Sequence, residues 1–180
     1  NRDGILSEED LIYLGNSDPV LYGGLQNTFN IGGLRIGFYF SYSLGGKIYN
    51  YSELAMAGGY ATNQYRYMQN AWHPVRNPDS NIPMAGSYDA LPSDRLVHDA
   101  SYLRLKNISA SYTFDMRKVT KNRLRDIRVS VSGENLYLWK KYNGFDPDVS
   151  TSSSNSALRR VDIGAYPKPR TIIFSLQIRY

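Results

Sequence analysis

Residues 171–180 alternate between two unlike faces. One face is apolar and aromatic, and it carries Ile172, Phe174, Leu176, Ile178 and Tyr180. The other carries Thr171, Ile173, Ser175, Gln177 and Arg179. A period of two predicts a β-strand. A strand that crosses a membrane needs about 9–11 residues, apolar side chains toward lipid, polar side chains on the other face and aromatic residues at the interfaces. We therefore interpret this stretch as a barrel strand whose lipid-facing residues, Phe174, Leu176, Ile178 and Tyr180, act as an assembly signal.

The composition narrows the classes of protein without choosing one. No apolar run approaches the roughly 20 residues of a transmembrane helix, so spanning by helices is excluded. The mean hydropathy of the chain is polar, but it neither favours nor excludes a membrane barrel, because the side chains of a barrel strand alternate and the strand has little net hydropathy. Aromatic residues make up 13% of the chain. This content is typical of interface girdles, of a carbohydrate-contacting surface or of an aromatic-rich β core.

The absence of cysteine excludes disulfides and thiolate metal sites and leaves the compartment open. A formal net charge of +5 is compatible with a nucleic acid or an anionic membrane surface as partner, but the basic residues are scattered rather than clustered along the sequence, so the charge alone selects neither and no nucleic-acid partner is predicted. The sequence starts at Asn1 with neither a methionine nor a signal peptide. We expect a fragment or a processed product, with any targeting signal upstream.

Four further strands and two long connections are predicted. Alternation begins near Tyr22, turns at Gly32-Gly33 and resumes from Leu34 to Tyr42, which is typical of a hairpin. A third strand covers residues 102–114, with a change of apolar phase near Lys106-Asn107 that we interpret either as a β-bulge or as the transition from the rim to the membrane band. The fourth covers residues 127–139. Short helices are predicted after Ser7 and at residues 53–56 or 63–70 within the long connection of residues 44–100; residues 140–170 form the second.

The lengths of the connections between the predicted strands agree with an alternating strand direction. With alternating strands, the short links at residues 32–33 and 115–125 fall at the end that carries Tyr180, and both long connections fall at the other. Outer-membrane barrels have short periplasmic turns and long external loops. Basic residues mostly occupy the polar phase of the strands, as expected where a lipid-facing cation costs about 2–4 kcal/mol at the midplane. They are Arg35, Arg104, Lys106, Arg128 and Arg179.

The predicted fold class is all-β: about five C-terminal strands of an antiparallel transmembrane β-barrel with long extracellular loops. The smallest barrels need about eight strands, so five cannot close one. We therefore predict that residues 1–180 form the C-terminal part of a receptor barrel, that the remainder of the barrel comes from upstream, and that the closing strand pairs on one side with the strand ending near Trp139.

No arrangement of residues predicts catalysis. His73 and His98 lie in loops without a catalytic signature. Asp146 and Asp148, with Asn143, offer oxygen ligands for calcium or serve an Asx-turn around Pro147; the spacing does not match an EF-hand. The glycine pairs at residues 32–33 and 58–59 lack a phosphate-binding pattern and are predicted to form turns. No enzyme activity, metal site or cofactor is predicted.

Aromatic residues in the loops are candidates for contact with a substrate or a partner, because exposed aromatic side chains favour both. The alternative is packing within the loops. The candidates are Tyr65, Tyr67, Trp72, Tyr142 and Phe145. Near the outer end of strand four, Asn135, Tyr137 and Trp139 are predicted to belong to an aromatic girdle.

Several stretches, in order, resemble the SusC/RagA-type TonB-linked outer-membrane proteins near their C-terminus. They are AWHPVRNPDSNIPMA (71–85), SDRLVHDASYLRLKN (93–107), SGENL (132–136), YNGFDP (142–147) and GAYPKPRT (164–171). The resemblance covers residues 13–180. Met84, Ala100 and Asp148 depart from the pattern, where the family often has Arg, Gly and Glu.

The resemblance implies a barrel of 22 strands filled by an N-terminal plug in the cell outer membrane. It implies import of a glycan, oligosaccharide or peptide with energy from the TonB complex, which acts through N-terminal parts outside this chain. A SusD-like surface lipoprotein is the implied partner, and outer-membrane lipid surrounds the wall. The alternative function is a secreted β-sandwich module that binds polysaccharide.

Overall fold

The computed structural model describes residues 7–57, 63–84, 93–121, 123–149 and 159–180. Within them the elements are β1 (Leu21–Ile31), β2 (Leu34–Leu44), β3 (Lys47–Asn50), α1 (Tyr51–Ala57), β4 (Val97–Asp99), β5 (Tyr102–Asp115), β6 (Asp126–Lys140), β7 (Val161–Asp162) and β8 (Thr171–Arg179). Short 3-10 helices occupy Glu8–Asp10, Arg66–Asn70 and Asp94–Leu96. All five predicted strands are present.

The described chain divides into two compact units. The first, which we call the sheet unit, contains residues 19–45, 100–147 and 166–180. The second, which we call the loop unit, contains the described residues among 1–18, 46–99 and 148–165. The sheet unit is one antiparallel sheet with strand order β1-β2-β5-β6-β8. The prediction that β8 pairs with the strand ending near Trp139 is confirmed, because β6 is its neighbour.

The tight turn between β1 and β2 requires glycine at both positions. Gly32 has a φ of 58°, which favours glycine because it has no Cβ. A Cβ on Gly33 would lie 2.7 Å from the carbonyl oxygen of Thr113. The Gly33 carbonyl also accepts a hydrogen bond from the Thr113 amide at 2.9 Å, which ties the hairpin to β5. The predicted hairpin is confirmed.

The predicted bulge is also confirmed. The register of β5 shifts between Leu105 and Asn107 against β6, and β2 shifts at the same level. Lys106 is the unpaired residue of β5. On β6, Asn135 has a φ of 52°, and the side chain of Leu136 lies over Gly133, where a Cβ would meet it at 2.7 Å. The bulge restores the phase, so apolar residues on both sides of it share one face.

The direction of the strands agrees with the loop-length argument. The hairpin turn, the β5–β6 link and the end of β8 lie at one end of the sheet, where the Arg125 amide donates to the Arg179 carbonyl at 2.8 Å. Both long connections leave from the opposite end.

The loop unit has its own small sheet, of order β4-β3-β7, which the sequence pattern did not predict. Ile48 and Leu96 are its most buried apolar side chains, and Ala57, Met68 and Ala71 form a small cluster. Of the two alternatives predicted in the long connection, the helix at residues 53–56 is confirmed within α1, whereas residues 63–70 contain only the 3-10 helix Arg66–Asn70. The start predicted after Ser7 is a three-residue 3-10 helix, Glu8–Asp10, capped by Ser7. The predicted turn at residues 58–59 lies outside the described residues.

Among the described residues, no helix combines the length and the apolar character needed to cross a membrane.

Candidate functional site

One face of the sheet unit is apolar along most of its rows, with Asn27 on β1 as a polar exception. Directly opposed residues of antiparallel strands share a face, so the register gives continuous rows across the strands. Four of these rows are Phe29–Ile36–Ala110–Val131–Phe174, Leu25–Phe40–Leu105–Tyr137, Ile31–Leu34–Tyr112–Val129–Leu176 and Phe114–Ile127–Ile178. Most of their large side chains are exposed, and Phe174 reaches 80%. The predicted assembly residues Phe174, Leu176 and Ile178 all lie on this face; Tyr180 follows β8 and is 97% exposed.

Aromatic side chains gather near both ends of the apolar face. At the end with the long connections, Tyr137 and Trp139 have ring centroids 4.4 Å apart, and Phe40 is 6.4 Å from Trp139. At the other end, Tyr112 and Phe114 are 4.6 Å apart. Leu103, opposite Trp139, and Phe114 are 11 positions apart on β5. At about 3.4 Å per residue and a tilt of roughly 40°, this span rises about 28 Å, close to the ~25 Å apolar band of a barrel.

The opposite face is hydrophilic and built from small side chains. Its rows include Asn30–Arg35–Ser111–Ser130–Ser175 and Thr28–Gly37–Ser109–Ser132–Ile173. Arg128 lies one row further and donates to the Thr113 hydroxyl at 3.1 Å. A shallow depression of about 400 Å³ is lined by five of these hydroxyl side chains together with Arg35, Tyr39 and Asn107; the five are Thr28, Ser109, Ser111, Ser130 and Ser132. Such a surface offers many hydrogen-bond donors and acceptors and is not suited to contact lipid.

A buried ion pair anchors the segment after β6 to the sheet. Arg104 Nη2 donates to Asp146 Oδ1 at 2.5 Å, and both side chains are 3% exposed. The two residues stand in the motifs at 93–107 and 142–147, 42 positions apart. Asp146 therefore binds a guanidinium, which neither the calcium interpretation nor the Asx-turn interpretation anticipated. Across the described part of the chain, no three His, Asp or Glu side chains are grouped to hold a metal ion.

A polar cluster around Glu53 organises the loop unit. The buried Glu53 carboxylate accepts hydrogen bonds from Asn50 Nδ2 at 3.1 Å and from the Tyr67 hydroxyl at 2.7 Å. His98 Nε2 lies 3.3 Å from Glu53 Oε2. Burial, followed by the hydrogen bond to Glu53, raises the pKa of Tyr67. One carboxylate thus joins β3, α1, the Arg66–Asn70 segment and β4. No role was predicted for Glu53 from the sequence, because no local pattern around it indicates one.

The loop after residue 70 is held by its own polar groups. Trp72 Nε1 donates to the Pro78 carbonyl at 3.0 Å, and the Trp72 amide donates to the Ile82 carbonyl. His73 Nδ1 accepts from the amides of Val75 and Arg76 at 3.1 and 3.2 Å. Both histidines therefore have structural partners.

The five predicted contact residues do not form one site. Tyr65 and Tyr67 are half-buried, and their rings stack with centroids 5.6 Å apart. Trp72 is partly exposed on its loop. In the sheet unit, Tyr142 is buried with 2% exposure, whereas Phe145 is 69% exposed. The surface that these residues offer to another molecule comes mainly from Trp72 and Phe145, and their contact role stays a prediction.

An antiparallel wall with an exposed apolar face, aromatic bands at both ends and a hydrophilic opposite face is the construction of a transmembrane β-barrel. The comparisons with known proteins extend this class to a family. No family model matches the chain. Two proteins of Formosa agariphila, TonB-dependent receptors P26 and P3, are each 31% identical over 100% and 99% of the chain. TonB-dependent receptor SusC of Bacteroides thetaiotaomicron is 26% identical over 79% of the chain.

Solved structures with a similar fold point to the same family. The RagAB peptide importer in its "closed-closed" state has a TM-score of 0.75 with 26% identity and covers 91% of the chain; its "open-open" state has a TM-score of 0.74 with 25% identity. The chain belongs to the SusC/RagA-type TonB-dependent receptors and forms a segment of their barrel. It spans less than a fifth of the length of these curated relatives, 19%, 18% and 14%. For this reason its five-stranded sheet is open.

Proposed function

We propose that the chain is the C-terminal part of the barrel wall in a TonB-dependent importer of the outer membrane. The observation that carries this proposal is the exposed apolar face with aromatic bands at its two ends. An apolar surface of this extent is costly in water and favourable in lipid. A soluble sandwich buries its apolar face against a second sheet. The exposure of Phe174 and its neighbours therefore favours the barrel over the secreted polysaccharide-binding module.

The distribution of charge supports the same placement. Arg35, Arg128 and Arg179 all lie on the hydrophilic side of the register, where they would line the lumen. Arg179 Nε donates to Asp126 Oδ1 at 2.8 Å, so the strand that would close the barrel is fastened to β6 by a charged pair. The remaining strands, and the plug that fills the lumen, would come from the upstream part of the receptor.

The substrate we propose is a glycan, an oligosaccharide or a peptide. The relatives include a protein named SusC and a structure titled as a peptide importer. The hydrophilic face suits any of these substrates, because hydroxyl and amide side chains bind both sugar hydroxyls and peptide groups. Transport would proceed by binding and gated passage, with no catalytic step. TonB would act through N-terminal parts of the receptor.

We further propose a SusD-like surface lipoprotein as the partner at the end with the long connections. Exposed aromatic residues are common in protein interfaces, and Trp72 and Phe145 are the predicted contact residues with the most available surface.

Fractionation of the full-length receptor tests the proposal. We expect the protein in the outer membrane, with a gel mobility that changes on heating because a folded barrel resists detergent. A soluble, monomeric periplasmic product would contradict it. The rival function would be supported if residues 1–180 alone folded cooperatively in water and bound glycan.

A further inference from the structure

A cluster of cations occupies the link between β5 and β6. Lys118, Lys121, Arg123 and Arg125 are all exposed. Arg117 is already neutralised by Asp115, which it contacts at 2.6 Å. None of the ion pairs among the described residues involves Lys118, Lys121 or Arg123, and Arg125 reaches Asp126 only at 3.9 Å. The link therefore presents positive charge that the described chain does not neutralise.

The link is ordered by its own hydrogen bonds. The Thr120 hydroxyl lies 2.7 Å from the Met116 carbonyl and 3.1 Å from the Leu124 carbonyl, and it accepts from the Leu124 amide at 3.0 Å. The Met116 amide donates to the Arg125 carbonyl, which closes the base of the link. The cations are thus presented on a folded turn.

The turn begins where the apolar face ends. Phe114, Ile127 and Ile178 form the last apolar row, and the next row is Asp115–Asp126–Arg179. Val119 stands among the cations and is 74% exposed. In a bilayer, the phosphates of the lipids lie directly beyond the hydrocarbon. A turn that follows the last lipid-facing row therefore lies at the level of the headgroups.

We propose that the turn of residues 116–125 binds the headgroups of anionic phospholipids, with Lys118, Lys121 and Arg123 contacting phosphate and Val119 entering the apolar boundary. This inference rests on the proposed membrane placement of the sheet unit. Two observations support it. The charge of the turn is complementary to that of anionic headgroups, and the turn follows directly on the apolar face. A site for a free phosphate or an acidic protein would not need an adjoining apolar face.

The test uses the full-length receptor reconstituted in vesicles. The variant K118Q/K121Q/R123Q is compared with K47Q/R66Q/R76Q, which removes three exposed cations of the loop unit. Spin-labelled phosphatidylglycerol and phosphatidylcholine report the relative association of each lipid with the protein surface. We expect the wild type to prefer phosphatidylglycerol, the turn variant to lose about fivefold in association per cation removed, and the control variant to retain the preference. The preference should also fall at ~1 M salt, where the Debye length is about 3 Å.

The following outcomes would contradict either this proposal or the proposed function. An unchanged preference in the turn variant, or an equal loss in the control variant, overturns the proposal. Binding of millimolar glycerol phosphate without any preference among the lipids would overturn it in favour of a free phosphate site, and binding of polyglutamate without any lipid preference would overturn it in favour of an acidic protein. A receptor that fails to enter vesicles, judged by heat-modifiable mobility, would contradict the proposed function instead.

Discussion

The sheet unit and the loop unit follow opposite rules for burial. In the sheet unit, the exposed side chains include many large apolar ones, and the buried ones include Ser41, Ser43 and Arg104. In the loop unit, Ile48 and Leu96 are buried together with the polar Asn50, Glu53 and Asp162. The loop unit thus buries an apolar core around a hydrogen-bonded polar centre. On the proposed membrane placement, the two units face different solvents, lipid and water.

The two units also depend on different interactions. On the proposed membrane placement, backbone ladders and the surrounding lipid stabilise the sheet, so its apolar side chains need no partners inside this chain. The loop unit has a small apolar core, and a few buried hydrogen bonds must hold its segments together. The following experiments test this comparison, from the largest expected effect to the smallest.

Removing Asp146 tests how far the sheet unit depends on a buried ion pair. D146A leaves the buried Arg104 guanidinium without its carboxylate, so we expect a loss of about 3–5 kcal/mol in the free energy of unfolding. Urea unfolding of the full-length receptor in detergent measures it. The exposed neighbour Asp148 provides the control D148A, with an effect below about 1 kcal/mol. Equal unfolding midpoints for D146A and the wild type would show that the pair is not essential.

Placing a cation on the apolar face tests lipid exposure. F174R should cost about 2–4 kcal/mol and strongly reduce the folded protein in the outer membrane. The matched control is S175R, one residue further on the hydrophilic face. Deleting Tyr180 should also impair assembly. The measurement is the heat-modifiable fraction in isolated outer membranes; normal levels of F174R would count against lipid contact at this position.

Tyr67→Phe tests the polar centre of the loop unit. The variant removes the hydrogen bond to Glu53, and we expect a loss of about 1–3 kcal/mol in local stability. Proteinase K digestion of the intact receptor measures the loss as faster cleavage in residues 46–99. Tyr13→Phe, at an exposed position, is the control and should leave cleavage unchanged.

The hydrogen bond between Tyr67 and Glu53 should also make the stability of the loop unit depend on pH. Because the pKa of Tyr67 is raised above its usual 10.0 in the folded protein, its contribution is complete below pH 10 and is lost as pH rises through the folded value. Resistance of the wild type to proteinase K should therefore fall toward that of Y67F in strong alkali. A constant difference at all pH values would show that the Tyr67 proton is not involved.

Substituting Asn135 tests the bulge, and the expected effect is the smallest of the series. Its φ of 52° favours asparagine or glycine, so N135A should cost about 1–2 kcal/mol and N135G close to nothing. Urea unfolding in detergent again measures the difference. Equal losses in the two variants would assign the cost to the side chain, whose Nδ2 lies 3.4 Å from the Pro169 carbonyl, rather than to the backbone.

Prediction from sequence succeeded where the signal was local. The hairpin at Gly32-Gly33, the bulge near Lys106 and the strand of residues 171–179 each depend on alternation or glycine within a few residues. The candidate site was predicted less well. The exposure of Phe174 and Leu176 follows from alternation, but the burial of Tyr142 next to the exposed Phe145 does not. That contrast comes from the packing of an irregular segment, which has no period.

The sequence by itself determined the strand of residues 171–179, the two-faced character of the sheet and the end of the sheet from which the long connections leave, because these follow from the two-residue period of a strand and from loop length. The tertiary structure alone decided that Arg104 meets Asp146, that Glu53 joins Asn50, Tyr67 and His98, and that a second small sheet forms in the loop unit. The pairs Arg104–Asp146 and Glu53–His98 are 42 and 45 positions apart, so only the path of the folded chain brings them together.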